Sequence, residues 1–197
     1  MSKAEKTKEY IIEKSAPVFN MQGYTGTSLS DVIQITGLTK GSIYGNFKNK
    51  DELAIDVYRY NIKELGKQIA DAINSKESAP DKLIAFTHFY RTNWKKIFEK
   101  GGCPILNAAV EADDSVSFLK THVQHSIKSL SRTLSNIINE GQKNAELKKT
   151  VNADEFAYTI ITMLEGGMML SKIMNNQKLL FSALDRIEKL INEELKK

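Results

Sequence analysis

Lys40, Ser42, Tyr44, Asn46 and Lys50 crowd one short stretch, with Gly41 and Gly45 between them. Such a set binds rather than catalyses. Lys and Ser donate to base edges, while Tyr, Thr and Lys hold phosphates. Between Val32 and Lys50 there is no Asp or Glu, while Lys40, Lys48 and Lys50 lie there. Two readings fit: a duplex-binding surface, or a solvated lysine face. Lys50 favours the first. If Asn49 caps the next helix, Lys50 falls in its first turn, where a cation opposes the helix dipole and Asp51 and Glu52 must offset it. A DNA phosphate would be drawn to both the helix start and Lys50. Thr27, Ser28 and Thr39 add hydroxyls nearby.

Other chemistry is sparse. His122 and His125 are three apart and could reach one metal, but no Cys or second cluster completes a site. There is no P-loop, no Gly-rich dinucleotide turn and no nucleophile–base pair, so neither an enzyme nor a cofactor is expected. Cys103 reads either as a small buried hydrophobe or as a thiol that senses oxidants or electrophiles. Phe86, Phe89, Tyr90, Trp94 and Phe98 have helical spacing and read as core, or as the lining of an apolar pocket. Met163, Met168, Met169 and Met174 carry the same ambiguity. If a pocket exists, Ile105 and Phe118 would join its wall, and Asn107, His122 and Thr162 could orient a ligand.

The elements that position these residues are helices. Apolar residues recur at three and four, and period-2 alternation is nearly absent. Leu119, Val123, Ile127, Leu130, Leu134 and Ile137 mark one long helix; Leu53, Val57, Ile62, Leu65, Ile69 and Ile73 mark another, over Lys50–Asn74. Ser28 is an N-cap with Asp31 as its capping-box partner, Gly37 ends that helix, and Thr39 caps a second over Lys40–Asn46. Two short helices joined by a few residues containing Gly form a helix-turn-helix pattern, though helical hairpins also occur in proteins that never touch DNA. Gly45 inside the second helix costs about 1 kcal/mol against Ala, so it marks either a close approach or a frayed last turn. Pro17 should cost the first helix a hydrogen bond or kink it. Helix boundaries are expected between Ser75 and Pro80, at Gly101 to Pro104, and between Gly141 and Asn152.

The 197 residues carry 28 Lys+Arg and 24 Asp+Glu, hence the net +4. A pI near 9.0 permits a polyanion partner without demanding one. A single Cys excludes an intrachain disulfide and suits a reducing cytoplasm. No long apolar run suggests a membrane span, and no apolar stretch comes after the basic N-terminus as in a secretory signal.

Gly23-Tyr24, Thr27-Ser28, the run from Gly37 to Tyr44, Phe47 and Lys50-Asp51-Glu52-Leu53 together resemble the DNA-binding domain of the TetR family of bacterial transcriptional repressors. The resemblance covers about residues 4 to 54. It implies an all-α chain: a three-helix helix-turn-helix DNA-binding domain at residues 1–50, then a larger helical effector-binding and dimerisation domain at 51–197. It places Lys40, Gly41, Ser42, Tyr44 and Asn46 where the family's recognition helix meets bases and backbone, and Thr27, Ser28, Thr39, Tyr44 and Lys50 where phosphates are held. Gly45 and Asn46 stand where many members carry larger or basic residues. The segment from Gly102 to Glu111 resembles, more loosely, a Gly-Cys segment of some TetR-type effector domains. The implied protein is a cytoplasmic homodimer on a near-palindromic DNA operator, released by a small apolar effector. The alternatives are sensing through Cys103, or a protein-interaction role with no small ligand. The dimer is expected from the last two long helices, at about 153–174 and 177–196. Gly166-Gly167 would allow close approach there, and the stripe Leu180, Leu184, Ile187, Ile191 and Leu195 would face the partner.

Overall fold

The computed structural model describes residues 2–114 and 116–197. Among them the chain is helical, and the one β feature is an isolated antiparallel bridge between Leu147 and Lys196. The helices are α1 (Lys3–Gly26), α2 (Leu29–Thr36), α3 (Lys40–Asn46), α4 (Lys50–Asn74), α5 (Ala79–Glu99), α6 (Pro104–Asp114), α7 (Ser117–Lys143), α8 (Ala153–Ile173) and α9 (Lys178–Leu190), followed by a π-helical turn (Ile191–Leu195). Packing divides the chain into two compact units. One comprises Met1–Leu65 and Lys100–His125; the other comprises Gly66–Glu99 and Ser126–Lys197. The segment 100–125 thus folds with the N-terminal helices, although it comes after α5 in sequence.

In the first unit the core gathers Ile11 and Phe19 of α1, Val32 of α2, Ile43 of α3, Phe47, and Leu53 and Val57 of α4. These are the apolar positions left when the polar faces of the helices turn outward. Lys8 ties α1 to α4 through Asp56 at 2.9 Å and Glu52 at 3.5 Å. The hydrogen bond to Asp56 raises the Lys8 pKa above its ordinary value. The Tyr10 hydroxyl donates to the Thr36 carbonyl at 3.0 Å and joins α1 to α2. Pro17 lies inside α1, yet the backbone leaves helical angles further on, at Gly23, with φ 75° and ψ 177°.

In the second unit Leu83, Phe86 and Tyr90 of α5, Leu134 and Ile138 of α7, Ile160 and Leu164 of α8, and Leu180 of α9 are fully buried. Arg91 pairs with Asp185 and Glu188 across α5 and α9. Leu184, Ile187, Ile191 and Leu195 are all at 0% exposure within the single chain. The apolar stripe of the last helix is therefore spent on its own chain's core and does not face a partner, which corrects the expectation drawn from it. Gly167 also serves this packing. What α8 leaves outside is a different set: Tyr158, Met169, Leu170, Ile173 and, just past its end, Met174 are exposed, Ile173 at 79%. No helix among the described residues is long and apolar enough to cross a membrane.

Candidate nucleic-acid interface

The turn between α2 and α3 is held by caps at both ends. The Ser28 hydroxyl accepts the Asp31 N–H at 3.2 Å, and the Asp31 carboxylate accepts the Ser28 N–H at 2.7 Å. The bonds that the Ser28 N–H and hydroxyl donate to it hold the Asp31 carboxyl below the usual carboxylate range. Gly37 closes α2 in the left-handed conformation, φ 67°, and the Thr39 hydroxyl accepts the Ser42 N–H at 3.2 Å to start α3. Next comes Asn49, whose side chain accepts the Glu52 N–H at 2.9 Å, while the Glu52 carboxylate accepts the Lys48 N–H at 2.9 Å. The Lys48 bond lowers the Glu52 pKa. The helix starts around this surface are thus each written in a local side-chain hydrogen bond.

Helix α3 anchors itself through Ile43, which is buried, with Phe47 beyond its end. Lys40, Gly41, Tyr44 and Gly45 lie exposed on the outer side, and Tyr44 is 47% accessible. The Lys40 ammonium sits 5.7 Å from the Tyr44 ring centroid. A cation and a phenol beside each other, with no acid nearby in sequence, form a face suited to phosphate and base edges. A Cβ at Gly45 would meet nothing among the described residues within 4 Å, so packing among them does not require Gly there. Ser42 is half-buried. The Asn46 side chain is half-buried and turns back to donate to the Ser42 carbonyl at 2.8 Å.

Three expected phosphate holders are placed differently. Thr27 is 1% exposed and its hydroxyl donates to the Gly23 carbonyl at 2.7 Å, so it buttresses the chain and cannot reach a phosphate. The Ser28 hydroxyl is engaged with Asp31 in both directions. Lys50 lies half-buried with its ammonium 4.0 Å from the Tyr24 ring centroid. Burial lowers its pKa, while Glu111, Asp51 and Asp31 act to raise it. Its charge serves the unit's own surface first. Thr39 stays exposed at the start of α3.

Glu111 of α6 ends the segment 102–111, whose resemblance gives it no role of its own. It accepts the N–H of Tyr24 at 2.7 Å and of Thr25 at 3.0 Å. The Tyr24 ring meets Phe118 edge-on at 5.1 Å, and its hydroxyl donates to Asp51. Burial and that bond push the Tyr24 pKa up to about 12. Asn107 donates to the Asn20 carbonyl at 2.9 Å and the Gly101 carbonyl at 2.9 Å. The links from α6 to α1 join residues about 87 apart in sequence, and no local pattern announces them.

The residues expected around an apolar effector divide between the two units. In the first, Cys103 is buried, Asn107 is engaged as described, Phe118 packs on Tyr24, and Ile105 and His122 are half-buried. Burial, Arg59 and His125 lower the His122 pKa. In the second, Phe86, Phe89 and Tyr90 pack edge-to-face at 5.2 and 5.3 Å inside the core. Trp94 is half-buried against Phe98 and Phe181, Met163 is half-buried and Met168 buried. Thr162 is exposed and so does not point inward as a ligand-orienting group. A cavity of about 40 Å³ in the first unit is bordered by Asn20, Tyr24, Asn107 and Glu111. That is room for water, well short of the ~300 Å³ typical of a ligand pocket.

Residues 11–57 match the model of the bacterial regulatory proteins of the tetR family, and residues 79–187 match that of the tetracyclin repressor-like C-terminal domain. A TetR-family transcriptional regulator from Cytophaga hutchinsonii is 33% identical, with 98% of this chain and 96% of that one covered at a TM-score of 0.93. A TetR transcriptional regulator from Chloroflexus aurantiacus is 32% identical, with 100% and 99% covered at a TM-score of 0.94. The transcriptional repressor DhaR of a Mycobacterium species is 22% identical over 171 residues, covering 87% of this chain and 85% of its own length.

Proposed function

We propose a specific role for this chain, which belongs to the TetR family of DNA-binding transcriptional regulators: it is a cytoplasmic homodimeric repressor that reads a near-palindromic operator through α3. The observation that carries the reading is the outer side of α3, where Lys40, Gly41 and Tyr44 stand exposed on a helix fixed by the Thr39 cap and the Ile43 anchor. Lys40 and Ser42 donate to base edges in the major groove. Tyr44, Thr39 and Lys48 hold phosphates. A two-fold dimer then requires inverted half-sites.

The dimer forms through the outer side of α8, where Tyr158, Met169, Leu170, Ile173 and Met174 are exposed together with open space at Gly166. Exposed apolar patches of this kind mark an interface. A small apolar effector releases the operator. The half-buried aromatics Trp94 and Phe98 of α5 and Met163 of α8 supply the apolar surface it would take, and binding must favour one conformation of the dimer over another.

Selection of bound sites from random duplex DNA tests the reading. The expected product is an inverted repeat, bound with a Kd at least ~10³-fold below that for random duplex. Enrichment of no motif would overturn it.

A further inference from the structure

We propose that Glu111 is a positioning residue for operator binding: from α6 it fixes the backbone break at Gly23 that directs the chain into the helix-turn-helix. The proposal rests on the operator-reading role of α3 stated above.

Helix α1 leaves helical angles at Gly23 and resumes for one short turn before Thr27. A break of this kind strands backbone N–H groups that the preceding turn would have satisfied. Glu111 takes two of them, at Tyr24 and Thr25. A Cβ at Gly23 would lie 2.5 Å from the Glu111 Oε2, so the carboxylate occupies the space that any other residue at 23 would claim. On the opposite side of the break the Thr27 hydroxyl donates to the Gly23 carbonyl at 2.7 Å. The turn is therefore held from both ends, once by its own chain and once by α6.

The Ser28 cap comes directly after this turn, then α2 and α3. A change in the Gly23 angles re-aims everything downstream, because Thr27 and Ser28 leave no flexible linker. Glu111 is supported from its own helix. One turn earlier Asn107 grips the Asn20 and Gly101 carbonyls, and Asn20 donates to the Lys100 carbonyl at 2.6 Å and the Gly102 carbonyl at 3.1 Å. The seam between α1 and α6 is polar along this line and has the small cavity beside it. Directional hydrogen bonds set an angle, where an apolar seam would only set a distance.

The experiment compares the full chain with Glu111→Ala, Glu111→Gln and Val57→Ala. Val57 is buried in the same unit and borders the same small cavity, but its side chain can make no hydrogen bond to the break, so its variant reports simple loss of packing. Three readouts are taken at one temperature: amide exchange at Tyr24 and Thr25, affinity for the selected duplex against a scrambled one, and affinity for duplexes with half-sites one base pair closer or further apart. Glu111→Ala should exchange faster at those two amides and bind the selected duplex about tenfold more weakly. It should bind the scrambled duplex as the parent does, and its spacing preference should flatten. Glu111→Gln keeps one acceptor and should fall between parent and Ala; it decides the matter if the Ala variant does not fold. Val57→Ala should lower the thermal midpoint and leave all three readouts unchanged. If Glu111→Ala and Glu111→Gln behave as Val57→Ala does, Glu111 is structural only and the proposal is overturned. If the parent itself prefers no duplex, the operator reading fails first, and the positioning role falls with it.

Discussion

Ala183 of α9 closes on Gly167 of α8 so tightly that a Cβ at 167 would lie 2.7 Å from the Ala183 Cβ and 3.4 Å from the Leu180 Cα. A Cβ at its neighbour Gly166 would meet nothing among the described residues within 4 Å. The two glycines therefore respond oppositely to the same substitution. Gly167→Ala forces α8 and α9 apart and should cost about 1–3 kcal/mol, more than the ~1 kcal/mol of helix propensity it gains. Gly166→Ala gains the propensity with no intrachain clash, so the folded monomer should not lose stability. Denaturant midpoints at low protein concentration check both. A stable Gly167→Ala would mean that the two helices are less closely packed than the structure places them.

The helices are legible in the sequence because their boundaries are local. Ser28 with Asp31, Gly37, Thr39 and Asn49 each cap within a few residues, and the expected spans Lys40–Asn46 and Lys50–Asn74 are those observed. The long-range roles are not legible. A stripe of leucines and isoleucines says that a helix buries one side but not against which chain, so Leu184 reads as interface where it is core. Thr27 and Lys50 have the chemistry of phosphate holders. Only the fold shows that one is buried beneath Gly23 and the other lies over Tyr24. The clasp from Glu111 needs α6 and α1 side by side, which no spacing within either helix encodes.

Charges on α8 and α9 should therefore have different consequences. Leu170→Glu with Ile173→Glu places two charges on the exposed side of α8 and should leave the monomer folded while splitting the dimer. Sedimentation at micromolar concentration should then show monomer, and operator affinity should fall with it because each half-site binds alone. Leu184→Glu should behave differently: a carboxylate at a fully buried position without a partner costs several kcal/mol, and the chain should lose its fold. Persistence of a full dimer in the double variant would move the interface elsewhere.

Stability should fall on both sides of neutrality. In acid, His122 has a lowered pKa, so its contribution is fully present above its ordinary 6.5 and is lost as pH falls through the folded value. Asp31 and Glu52 come next, below their ordinary 3.8 and 4.5, since the Ser28 and Lys48 N–H groups favour their charged forms. In alkali, Tyr24 is raised from 10.0 to about 12, so its contribution is present below pH 10 and is lost as pH rises through about 12. Thermal midpoints against pH read the sum. Tyrosine absorbance should show late-ionising phenols, one fewer in Tyr24→Phe, with Tyr60, whose pKa burial also raises, remaining.

Salt dependence should separate the lysines around α3. Each cation held against a phosphate releases counterions, and its loss flattens the slope of log affinity against log salt by about 0.9. Lys40 is exposed beside Tyr44, and among the described residues its charge meets only that neighbouring ring. Lys40→Ala should change which sequences are preferred, while Lys48→Ala, which removes a phosphate holder, should weaken binding to every sequence and flatten the slope by about one. Lys50 lies over Tyr24 among Glu111, Asp51 and Asp31, so its charge is already partly balanced. Lys50→Ala should flatten the slope by clearly less than one, keep the sequence preference, and lower the thermal midpoint through loss of the ring contact. Titrations of the selected duplex over a series of salt concentrations measure the slopes. Equal slopes for Lys48→Ala and Lys50→Ala would mean that Lys50 leaves the Tyr24 ring for the phosphate when DNA binds, and that the ring contact belongs to the free protein alone.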